Sequence, residues 1–112
     1  MSSVAPLEVD VCIVGYGPVG ATLANLLADA GLSVLVLERD ADIYRLPRAV
    51  HFDDEVMRVF QTLGLAERIL PHTHVSPGMH FVDAAGRLIL DWSRPMDVGP
   101  LGWNVSYRFH QP

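Results

Sequence analysis

Apolar residues near the start of the chain fall into two continuous runs, Val11 to Val14 and Ser33 to Leu37, separated by a stretch of helical periodicity. Runs without alternation predict parallel strands covered on both faces, so the first strand is expected in the middle of a sheet. Between the runs, Leu23, Leu26, Leu27 and Ala30 share one helical face, which should pack on the sheet while Thr22, Asn25 and Asp29 look outward. Gly31 suits the left-handed stop of that helix, and the crossover to the second strand should be right-handed. The pattern thus predicts a βαβ unit over residues 9–39, preceded by a flexible lead-in over 1–8.

Later periodicities are shorter. Val56, Val59, Phe60 and Leu63 predict a second helix, capped by Asp53 or Asp54 and closed by Gly64. Leu65 to Leu70 reads as a brief helix stopped by Pro71. Met79 to Val82 and Arg87 to Leu90 flank Asp83-Ala84-Ala85-Gly86, a connection suited to a hairpin. Asp91 to Gly102 is loop-like, rich in Pro and Gly, and Val105 to Phe109 is extended. Residues 40–112 are therefore expected as a helix, hairpin and loop segment, and the fold class as α/β.

Length limits what this fold can do. At 112 residues the chain has room for one small domain. Half of the residues are apolar and 19% are charged, as in a globular core. A net charge of −5 without a long basic run argues against a nucleic-acid partner. No apolar run approaches the roughly 18 to 20 residues of a membrane span, and the N-terminus lacks a secretory design, so a cytoplasmic location is expected. The single cysteine, Cys12, lies in the first apolar run and is expected to be a buried structural thiol.

The chemistry concentrates between the two strands. Gly15, Gly17 and Gly20 have the G-x-G-x-x-G spacing, with a strand before, a helix after, and Glu38 at the end of the second strand. Gly15 permits the tight turn, Gly17 allows a pyrophosphate to approach the backbone, and Gly20 lets helix and strand lie close. Pro18 fits the first helical turn, where its missing N–H costs nothing, and Val19 follows it in the turn. Free N–H groups and the positive end of the helix dipole make an anion site there. A carboxylate at Glu38 accepts hydrogen bonds from ribose hydroxyls and repels a 2′-phosphate, which favours FAD or NAD over NADP.

Beyond Glu38-Arg39, the run Pro47-Arg48-Ala49 and the triplet Asp53-Asp54-Glu55 before a helix resemble the N-terminus of the FAD-dependent aromatic hydroxylases, the single-component flavoprotein monooxygenases. Within that family the run PRAVHFDDEVMRVFQTLGLAERILPHT is most similar to the 3-(3-hydroxyphenyl)propionate hydroxylase branch. The similarity extends over nearly the whole chain. Family members are several times longer, so the resemblance implies an incomplete part of a larger FAD/NAD(P)-binding domain, inactive by itself, ending where a further helix should begin. It implies FAD as cofactor, NADH or NADPH as reductant, and a phenolic substrate with O₂. It also implies that Arg48 and Gln111 contact FAD, in addition to Gly15, Gly17, Pro18, Val19, Gly20, Glu38 and Arg39.

Other readings compete for particular residues. Asp53-Asp54-Glu55 is better explained as helix capping than as a metal or acid–base group. His72, His74 and His80 lack ligand spacing, so no metal is expected; His51 and His110 read as structural or substrate-adjacent, and no catalytic residue is assigned. Trp92 and Trp103 read as packing anchors. Two other functions are compatible with the glycine motif: the Rossmann half of an NAD-dependent dehydrogenase, which leaves Arg48 and Gln111 without a role, and a non-catalytic nucleotide-binding module. The remainder of a hydroxylase, or a second copy, is the expected protein partner.

Overall fold

A computed structural model describes residues 6–112; of the expected lead-in, residues 1–5 lie outside the described residues. The chain divides into two units, residues 1–44 and 45–112.

In the first unit, strand β1 (Val11–Val14) and strand β2 (Val34–Leu37) pair in parallel, with Val11 opposite Val34 and Val14 opposite Leu37. Helix α1 (Pro18–Asp29) connects them. Its end is a Schellman motif: Gly31 takes φ +83°, its N–H donates to Ala28 O, and the Leu32 N–H donates to Leu27 O. Ile13 is buried toward the helix, where its side chain lies near Gly20, while Cys12 and Val14 alternate onto the opposite, open face.

Three expectations are corrected here. The two strands form a two-stranded sheet, so among the described residues β1 is not central. Cys12 is exposed rather than buried, because nothing in the unit covers that face. Leu23 and Ala30, expected on the packed face of α1, are exposed; Leu26 and Leu27 are half-buried, and no residue of the helix is fully buried. A 12-residue helix laid over two short strands cannot shield its full apolar width.

The second unit has its own core. Strand β3 (His51–Asp53) leads into helix α2 (Asp54–Thr62), then α3 (Ala66–Ile69), a 3-10 turn (Leu70–His72) and strand β4 (Thr73–Val75). Strands β5 (Gly78–Val82) and β6 (Leu88–Ser93) form the expected hairpin, and β7 (Ser106–Phe109) returns between β3 and β4 in an antiparallel sheet of order β3-β7-β4. Asp53 caps α2 by accepting the Val56 N–H at 3.0 Å, and Gly64 ends it at φ +69°, as expected. Phe52, Met57, Ala66 and Tyr107 form the core, flanked by Phe60, Ile69, Val75, Trp103 and Phe109. Phe52 stacks on Tyr107 at 5.2 Å and meets Phe60 edge-on at 5.5 Å.

The three-stranded sheet is not anticipated by the periodicities, and two boundaries differ. Asp91 to Ser93 continue β6 instead of opening the loop, and the brief helix ends at Ile69 instead of Leu70, giving way to a 3-10 turn that contains Pro71. Both strands of the hairpin expose their apolar residues, including Phe81, Val82, Leu88, Ile89 and Leu90. No helix among the described residues is long and apolar enough to cross a membrane.

Candidate functional site

The turn between β1 and α1 begins at Gly15, whose φ of +102° few side chains tolerate. Gly20 is required for a different reason: a Cβ there would lie 2.1 Å from Gly15 O, so the helix could not start so close to the strand. Gly17 adopts an ordinary extended conformation as the N-cap, and a Cβ on it would meet nothing within 4 Å. The fold itself therefore leaves Gly17 free, and space remains open beside the turn. Pro18 occupies the first helical turn, and Val19 is exposed beside it.

Helix α1 starts with no side-chain cap and no acidic residue in its first turn. Its first N–H groups thus lack the carboxylate or hydroxyl that usually serves them, the condition under which a helix start accepts an anion. Glu38, just past β2, reaches the same turn: its Oε2 accepts the Tyr16 N–H at 2.7 Å and its Oε1 accepts the Asp40 N–H at 2.9 Å. These backbone donors, from Asp40 first and Tyr16 next, hold the Glu38 carboxyl below the ordinary glutamate range, so it is ionised at neutral pH. Arg39 extends into solvent, its Nε 3.8 Å from Asp40 Oδ1. Backbone donors, an open approach and a fixed carboxylate are what a pyrophosphate and its adjoining ribose require, so the residues present fit the adenosine side of FAD.

Of the expected site residues, Gly15, Gly17, Pro18, Val19, Gly20, Glu38 and Arg39 lie together in the first unit. Arg48 and Gln111 lie in the second, and there they meet. Gln111 Oε1 accepts the Arg48 N–H at 2.8 Å and the Ala49 N–H at 2.9 Å. One amide oxygen thus fixes the backbone of Pro47-Arg48-Ala49 across a separation of more than sixty residues. The reading of Arg48 and Gln111 as two separate contacts missed this bond; the signal available was only that each residue stood beside a proline.

Two of the histidines have local partners. His51 Nε2 lies 2.7 Å from the hydroxyl of the buried Ser106, and His80 Nε2 lies 3.4 Å from Asp91 across the hairpin. Among the described residues no three His, Cys, Asp or Glu side chains converge into a metal-holding group. Trp103 packs on the second core and donates its indole N–H to Gln61 at 2.9 Å, whereas Trp92 is exposed with the Arg94 guanidinium 4.1 Å over its ring.

Residues 8–107 match the sequence family described as an FAD binding domain. The chain is 49% identical over 106 residues to a probable NADH-specific resorcinol 4-hydroxylase of Rhodococcus jostii, an alignment covering 93% of this chain and 19% of that protein. It is 43% identical over 108 residues to a 3-(3-hydroxy-phenyl)propionate/3-hydroxycinnamic acid hydroxylase of Mycolicibacterium smegmatis, covering 96% and 19%. Among solved structures, the flavin-dependent monooxygenase PieE in complex with FAD and substrate superposes with a TM-score of 0.71 at 26% identity, over 96% of this chain and 21% of that one. The p-nitrophenol 4-monooxygenase PnpA from Pseudomonas putida superposes with a TM-score of 0.67 at 26% identity, over 89% and 25%. The chain thus spans about a fifth of the length of the curated relatives it matches. With the glycine turn, the uncapped helix and the fixed carboxylate all in place, the chain belongs to the FAD binding domain family.

Proposed function

We propose that the chain is the N-terminal, FAD-binding portion of a flavin-dependent monooxygenase that hydroxylates phenolic compounds with O₂ and a reduced nicotinamide. The observation that carries this reading is the placement of the Glu38 carboxylate against the Tyr16 N–H, beside a helix start that has no cap of its own. In this reading Gly15, Gly17, Pro18, Val19 and Gly20 border the pyrophosphate and Glu38 accepts the ribose hydroxyls. Arg39, exposed next to Glu38, offers positive charge at the rim. Arg48 and Gln111 are further proposed FAD contacts, Gln111 on the flavin side, and the Gln111 side chain holds the Arg48 backbone. Bound FAD supplies the redox chemistry; these residues bind and orient it.

NADH is the proposed reductant and a phenol the proposed substrate, because the resorcinol and hydroxyphenylpropionate hydroxylases above are among the most similar relatives. The family match to an FAD binding domain removes the NAD-dependent dehydrogenase reading.

Gly17→Val tests the assignment. A Cβ at this position meets nothing of the fold within 4 Å, whereas a pyrophosphate at the turn would occupy the space the side chain enters. In a titration followed by flavin fluorescence, the variant should keep the circular-dichroism spectrum of the native chain and lose at least about tenfold in FAD affinity, roughly 1.4 kcal/mol. Undiminished FAD binding would overturn the assignment. NADPH binding more tightly than FAD would overturn the reading of Glu38.

A further inference from the structure

The nucleotide site depends on the pairing register of β1 and β2, and the apolar residues of those strands do not specify it. Where one strand face is buried and the other wet, a slip exposes apolar side chains and is penalised. Here Val34, Leu35, Val36 and Leu37 are all aliphatic, and none is fully buried. A slip of two residues keeps every side chain on its own face; in the direction that brings Leu32 and Ser33 into the ladder, three of the four paired positions stay aliphatic, and in the other Glu38 and Arg39 enter it. The same slip would put Val36 or Asp40 where Glu38 now meets the Tyr16 N–H.

Polar groups make the choice at the opposite end of the strand pair. Asp10 Oδ2 accepts the Ser33 N–H at 2.8 Å and the Ser33 hydroxyl at 2.6 Å. The Asp10 N–H in turn lies 2.9 Å from Ser33 Oγ and 3.1 Å from Ser33 O. This reciprocal ring closes only when Asp10 stands opposite Ser33, the register that pairs Val11 with Val34 and Val14 with Leu37. At the far end the Gly15 N–H donates to Leu37 O at 2.7 Å, and Tyr16 reaches Glu38.

We propose that Asp10 and Ser33 form a register clamp, a pair of positioning residues that sets Glu38 against the glycine turn. Its consequence for FAD affinity rests on the functional reading above. The clamp is charged at neutral pH, because the Ser33 hydroxyl and then the Ser33 N–H hold the Asp10 carboxyl below the ordinary aspartate range. An aspartate suits the role because one oxygen accepts both donors and brings no proton of its own.

Amide hydrogen exchange on the full chain tests this directly. Asp10→Ala should raise the exchange rate of the Tyr16 amide about tenfold, the scale of a lost charge-assisted hydrogen bond. The Leu26 amide, inside α1, should keep its rate, and FAD affinity should fall in parallel with the Tyr16 effect. Asp10→Asn retains an acceptor oxygen and should recover most of the protection. Ser33→Ala keeps the Ser33 N–H to Asp10 and should give a smaller loss with the same pattern, which decides the matter if Asp10→Ala unfolds the first unit. Unchanged Tyr16 exchange in folded Asp10→Ala or Ser33→Ala overturns the clamp. Equal acceleration of Tyr16 and Leu26 also overturns it, since the contact would then be a general prop. Failure of the native chain to bind FAD would sink the functional reading, while Tyr16 exchange would still judge the clamp.

Discussion

The two units of this chain hold their shapes by different means. In the second, Phe52, Met57, Ala66 and Tyr107 make a core, and the flanking aromatic rings lock it from several sides. In the first, Ile13 is the only buried apolar residue among those described, and Val14, Leu23 and Leu37 are exposed. What fixes that unit is directional: a Schellman stop at Gly31, the close approach at Gly20, the Asp10–Ser33 ring and the Glu38–Tyr16 bond. A binding surface for a dinucleotide needs its backbone N–H groups open and its carboxylate aimed, and both are matters of hydrogen-bond direction more than of buried area. The second unit owes its stability to burial, and the first owes its geometry to polar pins.

The largest effect that would break this contrast is expected at Tyr107. Its ring is fully buried against Phe52, and its hydroxyl accepts the Asn104 N–H at 2.9 Å. Tyr107→Ala should cost about 3 to 5 kcal/mol, the range for deleting a buried aromatic side chain. Tryptophan fluorescence reads it selectively, because Trp92 and Trp103 both belong to the second unit. A variant whose denaturation midpoint matches that of the native chain would show that the aromatic cluster is not what holds this unit.

That cluster was also the part least legible in the sequence. Strands β3 and β4 have three residues each, too short for a period of two to register, and each finds its partner β7 only through distant pairing, such as His51 opposite Arg108. Met57 lay off the expected stripe of α2, yet it is fully buried while Val56 is exposed; Val59, Phe60 and Leu63 of that stripe remain half-buried, so the tertiary packing widened the buried face on the side of Met57 at the start of the helix. The first unit was legible for the opposite reason. Its glycines, the proline at the helix start and Glu38 act through local backbone geometry, which residue type reveals without knowledge of distant partners. Cys12 was misjudged because a continuous apolar run implies cover on both faces, and only one face of β1 is covered in this unit. The Asp10–Ser33 ring was invisible to periodicity, since both residues precede the strands they pin.

A smaller effect is expected at the start of α2. Asp53 accepts the Val56 N–H, and Asp54 and Glu55 follow in the first turn, where the helix dipole favours them. Asp53→Ala should cost about 1 kcal/mol. Urea denaturation followed by tryptophan fluorescence should show the loss as a lower midpoint with an unchanged slope. Because the carboxylate serves a helix that packs on a core, this variant asks whether a polar pin matters where burial already acts. A loss as large as that of Tyr107→Ala would erase the distinction between the two units.

The smallest effect, and the one that separates the units most cleanly, is acid. Asp10 and Glu38 are both held below their ordinary values of 3.8 and 4.5, the first by the Ser33 hydroxyl and the second by the Asp40 and Tyr16 N–H groups. A carboxylate depressed by folding stabilises the native state above its unfolded pKa, and that contribution disappears as pH falls through the folded value. Between neutral pH and about pH 5 the pins should therefore be complete, and below the ordinary carboxylate range they should release progressively. The apolar members of the second core carry no titrating carboxylate, and Trp103 is tied to it through Gln61. In a pH titration by NMR, the Tyr16 amide should shift and lose exchange protection at a higher pH than the Trp103 indole N–H loses its native position. The reverse order would place the acid-sensitive contacts in the second unit, where Asp83, lowered chiefly by the Arg87 N–H in the hairpin turn, would be the group to substitute next.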